Sequence, residues 1–470
     1  MNKRDEQILL EKKLVDLYEE NKETAFTNDI KTVSACRTKA IKHFKEKGFP
    51  VVSEELWRST DLSKVLSQDY HQFLKSKEEG VDLSKLFVCD VHDFDTDILS
   101  LLNGWVVNGF QELKTLPNGV IIGSLSEAMK IYPELIEKYY NQSEHINDHS
   151  ITSLNTALAQ DGAFIFIPDG IQVEKPIQMI SIINHDENLI VQNRNIVIIG
   201  KNSSLTLVHC DDSTNKLPSF NNSVTEIFVG ENANLDHYKL QNLNNNSTLI
   251  NSTFVKLDAY ANVSSNAISL NGGLIRNNIF VALNGKGANA NVYGVYLMDK
   301  KQHIDNYVFV DHKVSDCTST ELFKGILDDE ASGVFNGHIL VQRDAQRTNA
   351  FQNNKNILLK DTATIDTKPF LEIYADDVKC SHGATIGQLD TEAMFYMRSR
   401  GIREDNARML LMYAFAAEVI DKISIEALRN RIDDMVKKRL RGELSICETC
   451  VLHCGSPEKE IHFDIDLSKI

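Results

Sequence analysis

Two groups of residues carry side chains that could bind a soft metal or handle sulfur. The first is Cys380-Ser381-His382, close to the end of a stretch that alternates like sheet. Residues two apart in an extended chain point to the same face, so the thiol of Cys380 and the imidazole of His382 share one side. Together they make a plausible soft-metal or sulfur site. The second is Cys447-Glu448-Thr449-Cys450-Val451-Leu452-His453-Cys454, three cysteines at C-x2-C-x3-C spacing beside a histidine. This is metal-site spacing, although His453 and Cys454 are adjacent and would strain to hold one ion together. Each group has a plainer reading. A free cysteine is more often a small buried hydrophobe, and a lone histidine is more often a hydrogen-bonded side chain.

The elements that must position the first group run from Gly333 to Ile420, sheet-like in the first half and helical in the second. Upstream lie about 220 residues of short apolar runs broken by Gly, Asn, Asp and Ser, the pattern of strands and turns. A weak repeat is visible. Gly200-Lys201-Asn202-Ser203-Ser204-Leu205 is echoed by Gly230-Glu231-Asn232-Ala233-Asn234-Leu235, by Asp258-Ala259-Tyr260-Ala261-Asn262-Val263 and by Gly287-Ala288-Asn289-Ala290-Asn291-Val292. Repeats of this period point to stacked coils that bury one continuous core. Asn and Gly in the turns tolerate left-handed backbone, which favours a parallel β-helix over a β-sandwich with its closer hairpin spacing.

The flanks are helical. Residues 1–95 read as a helical domain with a stop at Gly48-Phe49-Pro50, and Trp57 reads as a core anchor. Residues 96–389 form the β-helix core with a mixed lead-in that includes a helix from Ser124 to Tyr140. Residues 390–445 form three helices, the first capped by Asp390 or Thr391 and stopped by Gly401. Such helices would cover an open sheet end. Residues 446–470 are the cysteine-containing tail.

Composition narrows the function. The 470 residues carry a formal charge of −16, which argues against binding nucleic acid or an anionic membrane. Eight scattered cysteines fit free thiols in a reducing cytoplasm better than a disulfide framework. No apolar leader is present and no run of ~18 apolar residues that could cross a membrane. No G-x-x-x-x-G-K-[ST] cradle occurs either, so any ATP chemistry belongs to another chain.

Several phrases resemble the SufB/SufD family, scaffold subunits of the Suf iron–sulfur cluster assembly machinery. They are Glu55-Leu56-Trp57-Arg58-Ser59-Thr60, Asp311-His312, Cys317 with Ser319, Glu321 and Lys324-Gly325, and Asp344-Ala345-Gln346-Arg347-Thr348-Asn349-Ala350. To these add Asp376-Asp377-Val378-Lys379-Cys380-Ser381-His382-Gly383-Ala384-Thr385, Phe395-Tyr396-Met397-Arg398-Ser399-Arg400-Gly401-Ile402 and Ala407-Arg408-Met409-Leu410-Leu411. The resemblance spans about Leu154 to Val436, with a weaker match at the N-terminus, and the Cys-Ser-His-Gly-Ala order is similar to the SufD type rather than the SufB type.

The resemblance implies a right-handed parallel β-helix and a non-catalytic, cytoplasmic scaffold. It implies a SufB-like partner, self-pairing when that partner is absent, and the ABC-type ATPase SufC docked through Phe395, Tyr396, Arg398, Arg400 and Arg408. It marks His382, with Cys380 second, as the place where a transient iron–sulfur cluster is shared with SufB. The polar residues around Asp311 and Glu321 read as partners for turn backbone. Cys447, Cys450 and Cys454 have no counterpart in the family pattern, and no motif here supports flavin binding. The alternative on fold alone is an exported β-helix enzyme such as a polysaccharide lyase, which would want a basic cleft and a signal peptide.

Overall fold

The computed structural model describes residues 3–75, 95–107, 109–143 and 145–441. The cysteines of the tail, Cys447, Cys450 and Cys454, lie outside them. The chain forms a β-solenoid of two facing ten-stranded sheets, between which it alternates coil by coil. Its coils pair in parallel, and the repeat read from the sequence is the register of the sheet. Asn234 lies beside Ser204 on one side and Asn262 on the other, and Asn262 lies beside Asn289.

The turn chemistry follows. Asn202, Asn232, Tyr260, Gly287, Asp316 and Arg347 occupy the same corner of successive coils, all with positive φ. Each backbone N–H there donates to the next coil, as in Asn232 N to Ala259 O at 2.9 Å and Asp316 N to Gln346 O at 2.9 Å. The corner thus continues the ladder, and left-handed backbone is what lets it do so. Gly and Asn adopt it readily. Tyr260 and Arg347 take it too, held by the coils above and below.

Both outer faces of the solenoid are covered. The helices Lys31–Lys47 and Ser150–Leu158 and the segment 48–57 bring Phe44, Leu154, Phe49 and Trp57 against Ile190, Phe220, Ile250 and Leu274 of one sheet. The helices Glu404–Ile420 and Glu426–Leu440 bring Met412, Ala416, Val419, Ile432 and Val436 against Val208, Tyr238, Ile268, Val295 and Leu322 of the other. Strands such as Ser219–Val229 are therefore buried along their whole length. The C-terminal helices lie along the side of the solenoid, where their apolar faces meet an apolar sheet face, and not over its end as expected. The expected helix from Ser124 to Tyr140 is two, Leu125–Ile131 and Pro133–Tyr139, because Pro133 lacks the N–H needed to continue the first.

Inside, the core is not uniformly apolar. Leu205, Leu207 and Val263 belong to the interior cluster. Further along the same faces, however, Lys239 Nζ sits 2.6 Å from Asp211 Oδ2 and 2.8 Å from His209 Nε2, all buried.

Candidate functional site

Cys380 and His382 lie on the strand Val378–Gly387, the last of its sheet. It pairs with Thr348–Leu358 alone, Ala350 beside Cys380 and Gln352 beside His382. The last strand of the facing sheet, Thr364–Ile373, is an edge as well. At the other end of the solenoid, antiparallel strands and the helix Leu125–Ile131 close the stack. The end bearing Cys380 and His382 has no such cover among the described residues, and Phe351, Phe370, Tyr374 and Ile386 are exposed there. An uncovered edge with exposed aromatics is a template for another chain.

The two residues share a face as their spacing predicts, and it is the inner one. Cys380 is half-buried against the interior cluster, while His382 is exposed because no further coil covers it. Burial pushes the Cys380 thiol above its ordinary range, against a smaller opposing effect of the Ala350 backbone. The free chain therefore carries a thiol here, and metal binding must displace its proton.

Beneath His382 the inner face holds Gln352, then Glu321, then Val292, in register. Gln352 Nε2 donates to Glu321 Oε2 at 2.7 Å. Burial pushes the Glu321 carboxyl up to about 8, so it is neutral at pH 7. Sequence reasoning missed Gln352 altogether and placed Glu321 at a turn. The signal was available in Gln352, Asn354 and Asn356, polar residues at inward, period-two positions. The other residues of the family phrases have varied roles. His312 meets Ser319 Oγ at 2.8 Å inside the solenoid, whereas Lys324 reaches outward to Phe415 O at 2.9 Å and ties the helix Glu404–Ile420 to the sheet.

The residues read as ATPase contacts divide in two. The helix Thr391–Ser399 is capped by Asp390, which accepts from Glu392 N and Ala393 N, and it buries none of its residues. Phe395 and Tyr396 on it are 75% and 59% exposed. Arg400 folds back to donate to Tyr396 Oη at 3.0 Å, and Arg398 pairs with Glu404 at 3.1 Å. Arg408 instead lines a cleft between the next helix and the solenoid, with Met409, Met412 and Arg439. Among the described residues no group of three or more His, Cys, Asp or Glu could hold a metal. Cys380 and His382 would supply at most two ligands.

Residues 181–415 match the model of the SUF system FeS cluster assembly SufBD core domain, and residues 9–179 that of the SufBD protein N-terminal region. The chain belongs to the SufB/SufD family. It is 30% identical over 399 residues to an iron-sulfur cluster assembly SufBD family protein of Synechocystis, covering 83% of this chain and 87% of that protein. It is 33% identical over 292 residues to the iron-sulfur cluster assembly protein SufD of Escherichia coli, covering 62% and 69%. With SufD of Bacillus subtilis it shares 27% over 343 residues, covering 70% and 76%. As a SufB/SufD family protein it serves iron–sulfur cluster assembly as a scaffold, and its uncovered coil carries the Cys-x-His pair. No helix among the described residues is long and apolar enough to cross a membrane.

Proposed function

We propose that this chain is the SufD-type subunit of a cytoplasmic SufB–SufC–SufD assembly. Its terminal coil pairs with a SufB-like subunit, and the helices beyond it hold the SufC ATPase. The reading is carried by one observation: the end of the solenoid that the described residues leave bare is the end that bears Cys380 and His382. Edge strands Val378–Gly387 and Thr364–Ile373 offer unpaired backbone groups to a partner strand. The cluster is cargo rather than a resident cofactor. His382 and Cys380 supply an imidazole and a thiolate from one side, and the partner completes the usual four ligands from the other. The order Cys380-Ser381-His382-Gly383-Ala384 and the relatives named SufD favour this subunit over SufB.

His382→Ala should leave the purified complex intact and lower its iron and acid-labile sulfide by about tenfold or more, the scale set by lost metal-site groups. His382 is exposed and has no packing role to lose. Undiminished iron and sulfide in the variant complex would remove it from cluster assembly.

Phe395 and Tyr396 present large apolar surface on a helix that buries nothing, as interface anchors do. Phe395→Ala with Tyr396→Ala should leave thermal unfolding unchanged and cost at least ~2 kcal/mol of ATPase affinity. The ATPase would then be lost on gel filtration. Full co-elution would argue that it docks elsewhere.

A further inference from the structure

The amide of Gln352 is pinned at one end only. The side chain is 3% exposed and Glu321 beneath it 1%. Nε2 donates to Glu321, while Oε1 is buried with no hydrogen-bond partner among the described residues. A buried amide oxygen without a donor is costly, and native proteins keep few of them. The room for this amide is made across the lumen by Gly337, where a Cβ would stand 2.2 Å from Gln352 Nε2. The residue next outward from Gln352, in register on the same face, is His382.

We propose that Gln352, pinned by Glu321, is a positioning residue for His382: its Oε1 accepts the N–H of one ring nitrogen and so presents the other nitrogen to the subunit junction. The inference rests on the reading of His382 as a metal-binding group. Histidines that bind metal as a rule donate their second N–H to a carbonyl or carboxylate, which fixes tautomer and ring angle. Gln352 offers such a carbonyl. The neutral carboxyl of Glu321 orients the amide without placing a negative charge beside the ring. Fixing one tautomer matters because only the nitrogen without a proton can bind iron.

The test uses the full-length chain labelled with 13C and 15N in histidine, the His382 signals being assigned by their loss in His382→Ala. In the wild type the neutral tautomer ratio of His382 should differ from that of an exposed histidine by about fivefold or more, the bias one net hydrogen bond gives. In Gln352→Met, similar in shape but without the acceptor, the ratio should relax to that of an exposed histidine. Iron and sulfide in the variant's complex should then fall by roughly tenfold. Glu321→Gln keeps an acceptor for the amide and should leave the ratio as it was. If Gln352→Met does not fold, Glu321→Met unpins the amide in place and should show the same relaxation. A tautomer ratio equal in the wild type and in whichever of these variants folds overturns the proposal. Normal cluster yield in His382→Ala overturns instead the metal role of His382, so the two failures are told apart.

Discussion

Glu226→Ala should destabilise the protein by ~3–5 kcal/mol, the cost of leaving a buried charge without its partner. Glu226 is 0% exposed and Arg194, its partner, 1%. Arg194 Nη2 donates to Glu226 Oε1 at 2.6 Å. The same carboxylate accepts from Asn141 N at 2.8 Å and Ser143 N at 3.0 Å. Arg194 also donates to Thr156 Oγ1 at 3.0 Å and lies over the Tyr140 ring. The pair therefore ties the segment around Asn141 and the helix Ser150–Leu158 to the outer sheet face. Alanine strands the guanidinium and orphans two backbone donors at once. Arg194→Met combined with Glu226→Leu removes both charges and should recover much of the loss. Urea unfolding midpoints of the three chains measure this. A midpoint for Glu226→Ala equal to the wild type would mean that the pair does not hold the N-terminal elements.

Acid should unfold the protein steeply below about pH 6, the range in which free histidine takes up its proton. Burial holds the imidazoles of His149, His237 and His312 down to about 4, 3 and 4. It also pulls His209 and His303 below the ordinary histidine range. A group depressed in the folded state stabilises above its unfolded pKa, and that stability is lost as pH falls toward its folded value. The window therefore opens near the unfolded value of 6.5. Asp161, Asp211 and Glu321 are raised by burial and act in the opposite sense. The depressed imidazoles outnumber the raised carboxyls, so the net effect is a loss of stability as pH falls through this window. Urea midpoints at pH 7.5, 6 and 5 check it. A midpoint at pH 5 no lower than at pH 7.5 would show that these imidazoles are not buried neutral.

The solenoid was legible because its signals are local and repeated. Asn202, Asn232 and Gly287 sit at turn positions that need left-handed backbone, and apolar runs recur at one period. The caps at Asp390 and Gly401 were legible for the same reason, since a cap is a matter of a few neighbouring residues. The Cys380–His382 pair was legible as one face of a strand. Its bare setting was not, because that depends on where the helices Glu404–Ile420 and Glu426–Leu440 pack. Nothing in their own periodicity says whether an apolar face will cover a sheet's side or its end.

The coil, the turn residues, the terminal helices and the chemical types at 380 and 382 are all written within short windows of the chain. Tertiary structure alone decided that Glu321, Gln352 and His382 form one column and that Arg194 meets Glu226 inside the covered face. It alone decided, too, that one end of the stack is left uncovered by the described residues. The reason is that parallel coils bring together residues about thirty positions apart along the chain, so the partner of any inward side chain is set by register and not by its neighbours.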